Sequence, residues 1–108
     1  MRALAVSLVL LLAACAAEEP GTPTAEDRQA AEPFAAGSIA ASFPDYPASA
    51  AAEVADCVAE NATGEELMIL AGKAKTVNEK SRRTLAIAIA NRPAAEACLR
   101  GNDLPPLR

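Results

Sequence analysis

No histidine and no tryptophan occur in this chain, and its aromatic residues are two Phe and one Tyr. Without histidine, the usual general base and the commonest metal ligand are both missing. Ser38, Ser42, Ser49 and Ser81 lack the Gly-x-Ser-x-Gly setting of an exposed nucleophile. Gly72-Lys73 invites comparison with a phosphate-binding loop, which needs four residues between its glycines and Ser or Thr after the lysine. Here seven residues separate Gly64 from Gly72, and Ala74 follows Lys73. Cysteines are few and none stands in a C-x-x-C pair, so redox and zinc motifs are missing too. A catalytic role, a metal centre and a bound cofactor are therefore not expected. Nor does any apolar run reach the roughly 20 residues that cross a bilayer.

Scarce aromatics and abundant alanine favour a compact all-helical domain built from small and aliphatic residues. The net charge of −4 is unevenly spread. Glu18, Glu19, Glu26, Asp27 and Glu32 face only Arg28, while the remainder is close to balanced. That balance gives no electrostatic case for nucleic acid.

The N-terminus has a definite grammar. Arg2 supplies a positive charge, and Ala3 to Ala14 is apolar except for Ser7. A basic start, a short apolar run and a small-residue end describe a signal peptide over residues 1–14. Leu12-Ala13-Ala14-Cys15 resembles the lipobox of bacterial lipoprotein precursors: a Leu, two small residues and the cysteine. The resemblance covers residues 1–15 alone. It implies that Cys15 is lipidated on sulfur, becomes the mature N-terminus and receives further acyl chains such as palmitate. More than one chain is needed physically, because a single acyl chain binds a bilayer only marginally. Ala16 after the cysteine fits a lipoprotein carried to the outer membrane and facing the periplasm.

With Cys15 occupied by lipid, Cys57 and Cys98 remain as an even pair in an exported chain. An oxidising compartment makes such a pair a disulfide. Residues 15–42, rich in Ala, Glu, Thr and Pro, read as a lipidated and disordered tether. As a flexible coil it would average roughly 30 Å end to end. A brief helix over Thr24 to Glu32 has no evident surface to pack on. The folded domain is then expected over 43–108, entered through Phe43-Pro44-Asp45-Tyr46-Pro47 lying extended across the bundle.

Four short helices fill that domain. Val54, Cys57, Val58 and Asn61 keep helical spacing within 48–61, with Glu53, Asp56 and Glu60 on the opposite face. Thr63 and Glu66 have the spacing of a capping box that opens a second helix, which Gly72 ends. Thr76 and Glu79 repeat the pattern for a third, reaching about Asn91. Its Leu85 to Ala90 run alternates with period two, but alanine is a poor strand former and the run is read as a central helix. Pro93 opens the fourth, with Gly101 as its stop. A Cys57–Cys98 bridge would then close the first of these helices onto the last. Leu104-Pro105-Pro106-Leu107 ends the chain in polyproline-like form, either packed on the bundle or free.

One positive cluster stands out. Lys73, Lys75, Lys80, Arg82 and Arg83 fall within eleven residues against Glu79, a candidate patch for anionic lipid, cell-wall carboxylates or an acidic envelope protein. The reading is a lipid-anchored envelope protein with a non-catalytic interaction or accessory role. The folded half resembles small Cys-paired lipoproteins only in general terms. The alternative is a membrane-active or stress-related lipoprotein of the entericidin kind, although such chains are shorter and lack a stapled domain.

Overall fold

The computed structural model describes residues 23–107. They form five α-helices, with no strand among the described residues: α1 (Ala25–Ser42), α2 (Ala51–Asn61), α3 (Gly64–Leu70), α4 (Glu79–Ala90) and α5 (Pro93–Gly101). A single 3-10 turn, Ala48–Ala50, leads into α2. The fold is an all-α bundle closed by a Cys57–Cys98 disulfide with its Cα atoms 5.7 Å apart.

The main departure from the sequence expectation is α1. Residues 25–42 were expected to be tether, and they form the longest helix of the bundle. Thr24 and Asp27 make a full capping box: the Thr24 amide donates to Asp27 Oδ2 at 2.8 Å, and the Asp27 amide donates to Thr24 Oγ1 at 3.3 Å. Asp27, Ala31, Ala35, Ser38 and Ile39 are buried at helical spacing, and α1 packs on α2, α3 and α4. The stripe is made mostly of small residues, which have low hydropathy yet let two backbones approach closely. Ser38 satisfies its hydroxyl within the helix, donating to the Phe34 carbonyl at 2.8 Å. Pro33 removes one amide from the interior, but the helix runs through it. Tertiary packing outweighs the local penalty. The entry segment differs too: the Tyr46 amide donates to the Phe43 carbonyl, so residues 43–46 turn rather than extend. Both aromatics still pack half-buried against the core.

The centre of the bundle holds Ile39, Val54, Val58, Leu70 and Ile89, together with Cys57. Thus α1, α2, α3 and α4 each contribute, and Leu99 and Leu107 complete the cluster. The helix α4, the third of the four expected from sequence, starts later than its sequence suggests. Asn78 caps it by accepting from the Ser81 amide at 2.8 Å, and Thr76 takes no part. The Leu85 to Ala90 run is helical, with Ala86, Ile89 and Ala90 buried.

Two helix ends share one geometry. Gly72 takes a φ of 87°, with the Lys73 amide donating to the Met68 carbonyl and the Gly72 amide to that of Ile69. This is a Schellman motif, and it ends α3 where the glycine implied. The stop of α5 lies two residues beyond Gly101. Asp103 takes the left-handed conformation (φ 56°), and the Leu104 amide reaches back to the Leu99 carbonyl. That turn sends the tail back along the bundle. The Tyr46 hydroxyl donates to the Pro105 carbonyl at 2.9 Å, and Leu107 is buried. Burial, followed by the charge of Glu53, raises the Tyr46 pKa and keeps that hydroxyl a donor.

Candidate functional site

The five cations of the expected patch have different fates. Lys73 Nζ lies 2.5 Å from Asp27 Oδ1, so it is tied to the first turn of α1. The Asp27 side chain is 2% exposed, and Lys73 beside it, then the Thr24 backbone amide, holds its carboxyl below the usual carboxylate range. Arg82 turns inward. Its Nε donates to the Ile69 carbonyl at 3.0 Å and its Nη2 to the Leu70 carbonyl at 2.7 Å. It thereby caps the negative end of α3. The same guanidinium stacks 3.9 Å from the centroid of the Phe34 ring, a cation–π contact onto α1. Arg83 leans toward Glu79 on the surface, 3.6 Å away. Lys75 and Lys80 are exposed and make no ion pair among the described residues. The patch as drawn from sequence therefore shrinks. Lys73 and Arg82 are structural, and Lys75 and Lys80 are the outward-facing remainder.

A second ionic clamp had no sequence signal beyond its cap. Arg92, at the joint between α4 and α5, forms a two-pronged pair with Glu66. Its Nη1 also donates to the Asn61 carbonyl at the end of α2. Glu66 is the third residue of α3 and accepts from the Thr63 amide at 2.9 Å. One guanidinium thus joins the end of α2, the start of α3 and the start of α5. Its hydrogen bonds, with a smaller contribution from Thr63, hold the Glu66 pKa at about 2 against an ordinary 4.5. The Arg92 pKa is raised by the same partner.

The bundle thereby uses one device twice. A capping-box acid at the third helical position (Asp27, Glu66) is paired with a cation from a distant connection (Lys73, Arg92). Capping motifs are local and legible, whereas their cationic partners lie 46 and 26 residues away.

Surface depressions among the described residues include the following two. One, of about 260 Å³, lies between α5 and the returning tail and is lined by Glu96, Leu99, Arg100, Leu104, Pro106 and Leu107. The other, of about 330 Å³, is an open groove between α1 and α2 with an alanine floor and Glu32 and Asp56 at its rim. Among the described residues no three His, Cys, Asp or Glu side chains gather as a metal site. None of the described helices is long and apolar enough to cross a membrane. Every buried side-chain nitrogen and oxygen among them has a hydrogen-bond partner.

The pair expected as a disulfide is one, and Cys57 is buried in the core. Asn102 flanks the bridge, donating from Nδ2 to the Cys98 carbonyl at 2.8 Å. The expected lipidation site, Cys15, lies outside the described residues. Comparison with family models, characterised proteins and solved structures finds no match to this chain.

Proposed function

We propose that this chain is a bacterial envelope lipoprotein, anchored through lipid on Cys15, whose helical domain has a non-catalytic interaction or accessory role on the periplasmic face of the outer membrane. The observation that carries the reading is the lipobox Leu12-Ala13-Ala14-Cys15, followed nine residues later by the capping threonine of α1. Support also comes from the Cys57–Cys98 disulfide, because exported chains are where such bridges persist. The interior favours scaffold over chemistry: its buried polar groups pair within the bundle, and its acids are engaged in caps and ion pairs.

The helix α1 alters the picture of the tether. From Cys15 to Thr24 the chain reaches at most about 32 Å when fully extended, against about 97 Å for a tether running to Ser42. The domain is therefore held close to the bilayer rather than lifted clear on a long coil.

Mass spectrometry of the mature protein tests the anchor. An acylated N-terminal cysteine is expected, with Cys15→Ser shifting the protein from the membrane to the soluble fraction. An unmodified Cys15 in a secreted chain would refute it. Cross-linking in intact cells tests the accessory role: one envelope protein captured by the native form and lost with Cys15→Ser would identify the partner. No specific capture by either form would remove the adaptor reading.

A further inference from the structure

The proposed anchor tethers the start of α1 to the bilayer, and the surface features around that point suit contact with it. We infer that the α3–α4 hairpin, residues 67–80, is the membrane-apposed surface of the domain. Its partner is a bilayer bearing anionic headgroups, met by Lys75 and Lys80 around a half-buried apolar patch. This inference rests on the lipid-anchor reading.

Three independent observations converge on the hairpin. The first is position. Residue 23 is where the described chain enters from the Cys15 side, and a Cβ on Gly64 would lie 3.1 Å from the Pro23 ring. Lys73, just past the other end of α3, is bonded to Asp27 in the first turn of α1. Both ends of α3 therefore lie against the start of α1. The far end of α1, at Ser42, is about 27 Å further along the helix axis.

The second observation is apolar exposure. Leu70 is the one buried residue of α3. Met68, Ile69 and Val77 are half-buried, but they lie outside the central cluster and the residues packed against it. Medium and large apolar side chains held at the rim, away from the core, suit the boundary between headgroups and acyl chains.

The third is charge. Lys75 and Lys80 bracket Val77 in the sequence, exposed and without an ion pair among the described residues. Glu79 beside them is held by Arg83, Glu65 sits about one turn before Met68 and Ile69, Glu26 lies exposed on α1, and Glu18 and Glu19 stand between Cys15 and α1 in the sequence. The attraction is therefore modest, at about fivefold per lysine near an anionic surface. A modest attraction is enough here. A short tether keeps the surface at high effective concentration, so weak contacts orient the domain without having to recruit it.

The chain has no tryptophan, so a single introduced one reports on its own surroundings. The mature lipidated protein carrying Met68→Trp is reconstituted into phosphatidylethanolamine vesicles, with or without phosphatidylglycerol, containing brominated lipid. Val77→Trp serves as a second probe in case the first disturbs packing. Ala40→Trp, exposed toward the other end of α1, is the control. Helicity by circular dichroism checks that each variant is folded. The expected result is quenching of the two hairpin probes and not of the control. Quenching should be stronger with phosphatidylglycerol, and Lys75→Gln with Lys80→Gln should return it to the level in neutral vesicles. Folded, vesicle-bound variants whose hairpin probes are quenched no more than the control would overturn the surface assignment and leave the anchor standing. A mature chain with no acyl mass on Cys15 that fails to stay on vesicles would overturn the anchor, and the surface assignment with it.

Discussion

Neutralising Glu66 probes the clamp on which three helices meet. Its side chain is 16% exposed and that of Arg92 is 39% exposed, so the pair is partly shielded. The fall of the Glu66 pKa from 4.5 to about 2 sets a ceiling of about 3.4 kcal/mol at about 1.36 kcal/mol per pH unit. Solvent around Arg92 screens the pair, and the retained contribution is about 1–2 kcal/mol. The sign follows from the direction. A carboxylate whose folded pKa is depressed contributes stability that is fully present above pH 4.5. That contribution is lost as the pH falls toward 2.

Glu66→Gln is the informative substitution, because glutamine also serves at the third position of a capping box and keeps the cap to Thr63. The charge is removed, together with one of the two acceptors that face Arg92, as protonation of Glu66 would also do. Denaturant unfolding of both proteins between pH 7 and pH 2 should show the variant less stable by about 1–2 kcal/mol at pH 7. The two curves should converge toward pH 2. Taking the difference between the proteins cancels the titration of Asp27 and the other carboxylates. A gap that is as large at pH 2 as at pH 7 would mean that the variant damages packing rather than charge. No gap at either pH would mean that the clamp contributes nothing.

The other predictions concern the bundle as a whole. Ile39→Ala, in the segment whose composition reads as tether, should cost about 2–4 kcal/mol in the same unfolding assay; an effect below about 0.5 would detach α1 from the core. Gly72→Ala should cost about 1–2 kcal/mol, because its φ is 87° and the new Cβ would meet Arg82 Nη2 at 3.3 Å. Gly37→Ala, with open space around the position inside α1, should stabilise by about 0.5–1 kcal/mol; equal effects at the two glycines would contradict the backbone assignment. Reducing the disulfide releases a link across a sequence separation of 41 residues, worth about 4 kcal/mol in the chain-entropy model. Calorimetry with and without reductant should show a Tm lower by about 15 °C or more, and an unchanged Tm would remove the staple from the account.

Strong local signals in the sequence carried through to the fold. The Thr63–Glu66 box, the Gly72 stop, Pro93 at the start of α5 and the Val54–Cys57–Val58 stripe each depend on neighbours within one or two turns. The period-two run at Leu85 to Ala90 was also readable, because alanine argues against a strand. The helix α1 was hidden for a physical reason. Its buried face is Ala31, Ala35, Ser38 and Ile39, with Asp27 at its head, and Pro33 interrupts the pattern, so neither hydropathy nor periodicity marks it. Its stability comes from α2, α3 and α4, which no local window contains. The same holds for the basic cluster. Nothing in residues 73–83 distinguishes an arginine that folds back onto carbonyls, as Arg82 does, from a lysine that faces outward, as Lys75 does.

That division of labour bears on function. Lys73 and Arg82 both end on α1, one on Asp27 in its first turn and the other on Phe34 in its middle. The positively charged hairpin is therefore fastened to the one helix that leads directly back toward Cys15. A cation used this way is already paired within the bundle, and it makes the hairpin rigid relative to α1. Rigidity is what an orienting surface needs, because a weak contact orients a domain only if it does not spend its energy ordering a loop. If Lys73→Gln loosened the hairpin, the proposed orientation of the domain would be lost while the proposed lipid attachment would not be affected. On the proposed reading, attachment and orientation are separable: lipid on Cys15 would supply the first, and the Asp27–Lys73 and Arg82–Phe34 contacts would support the second.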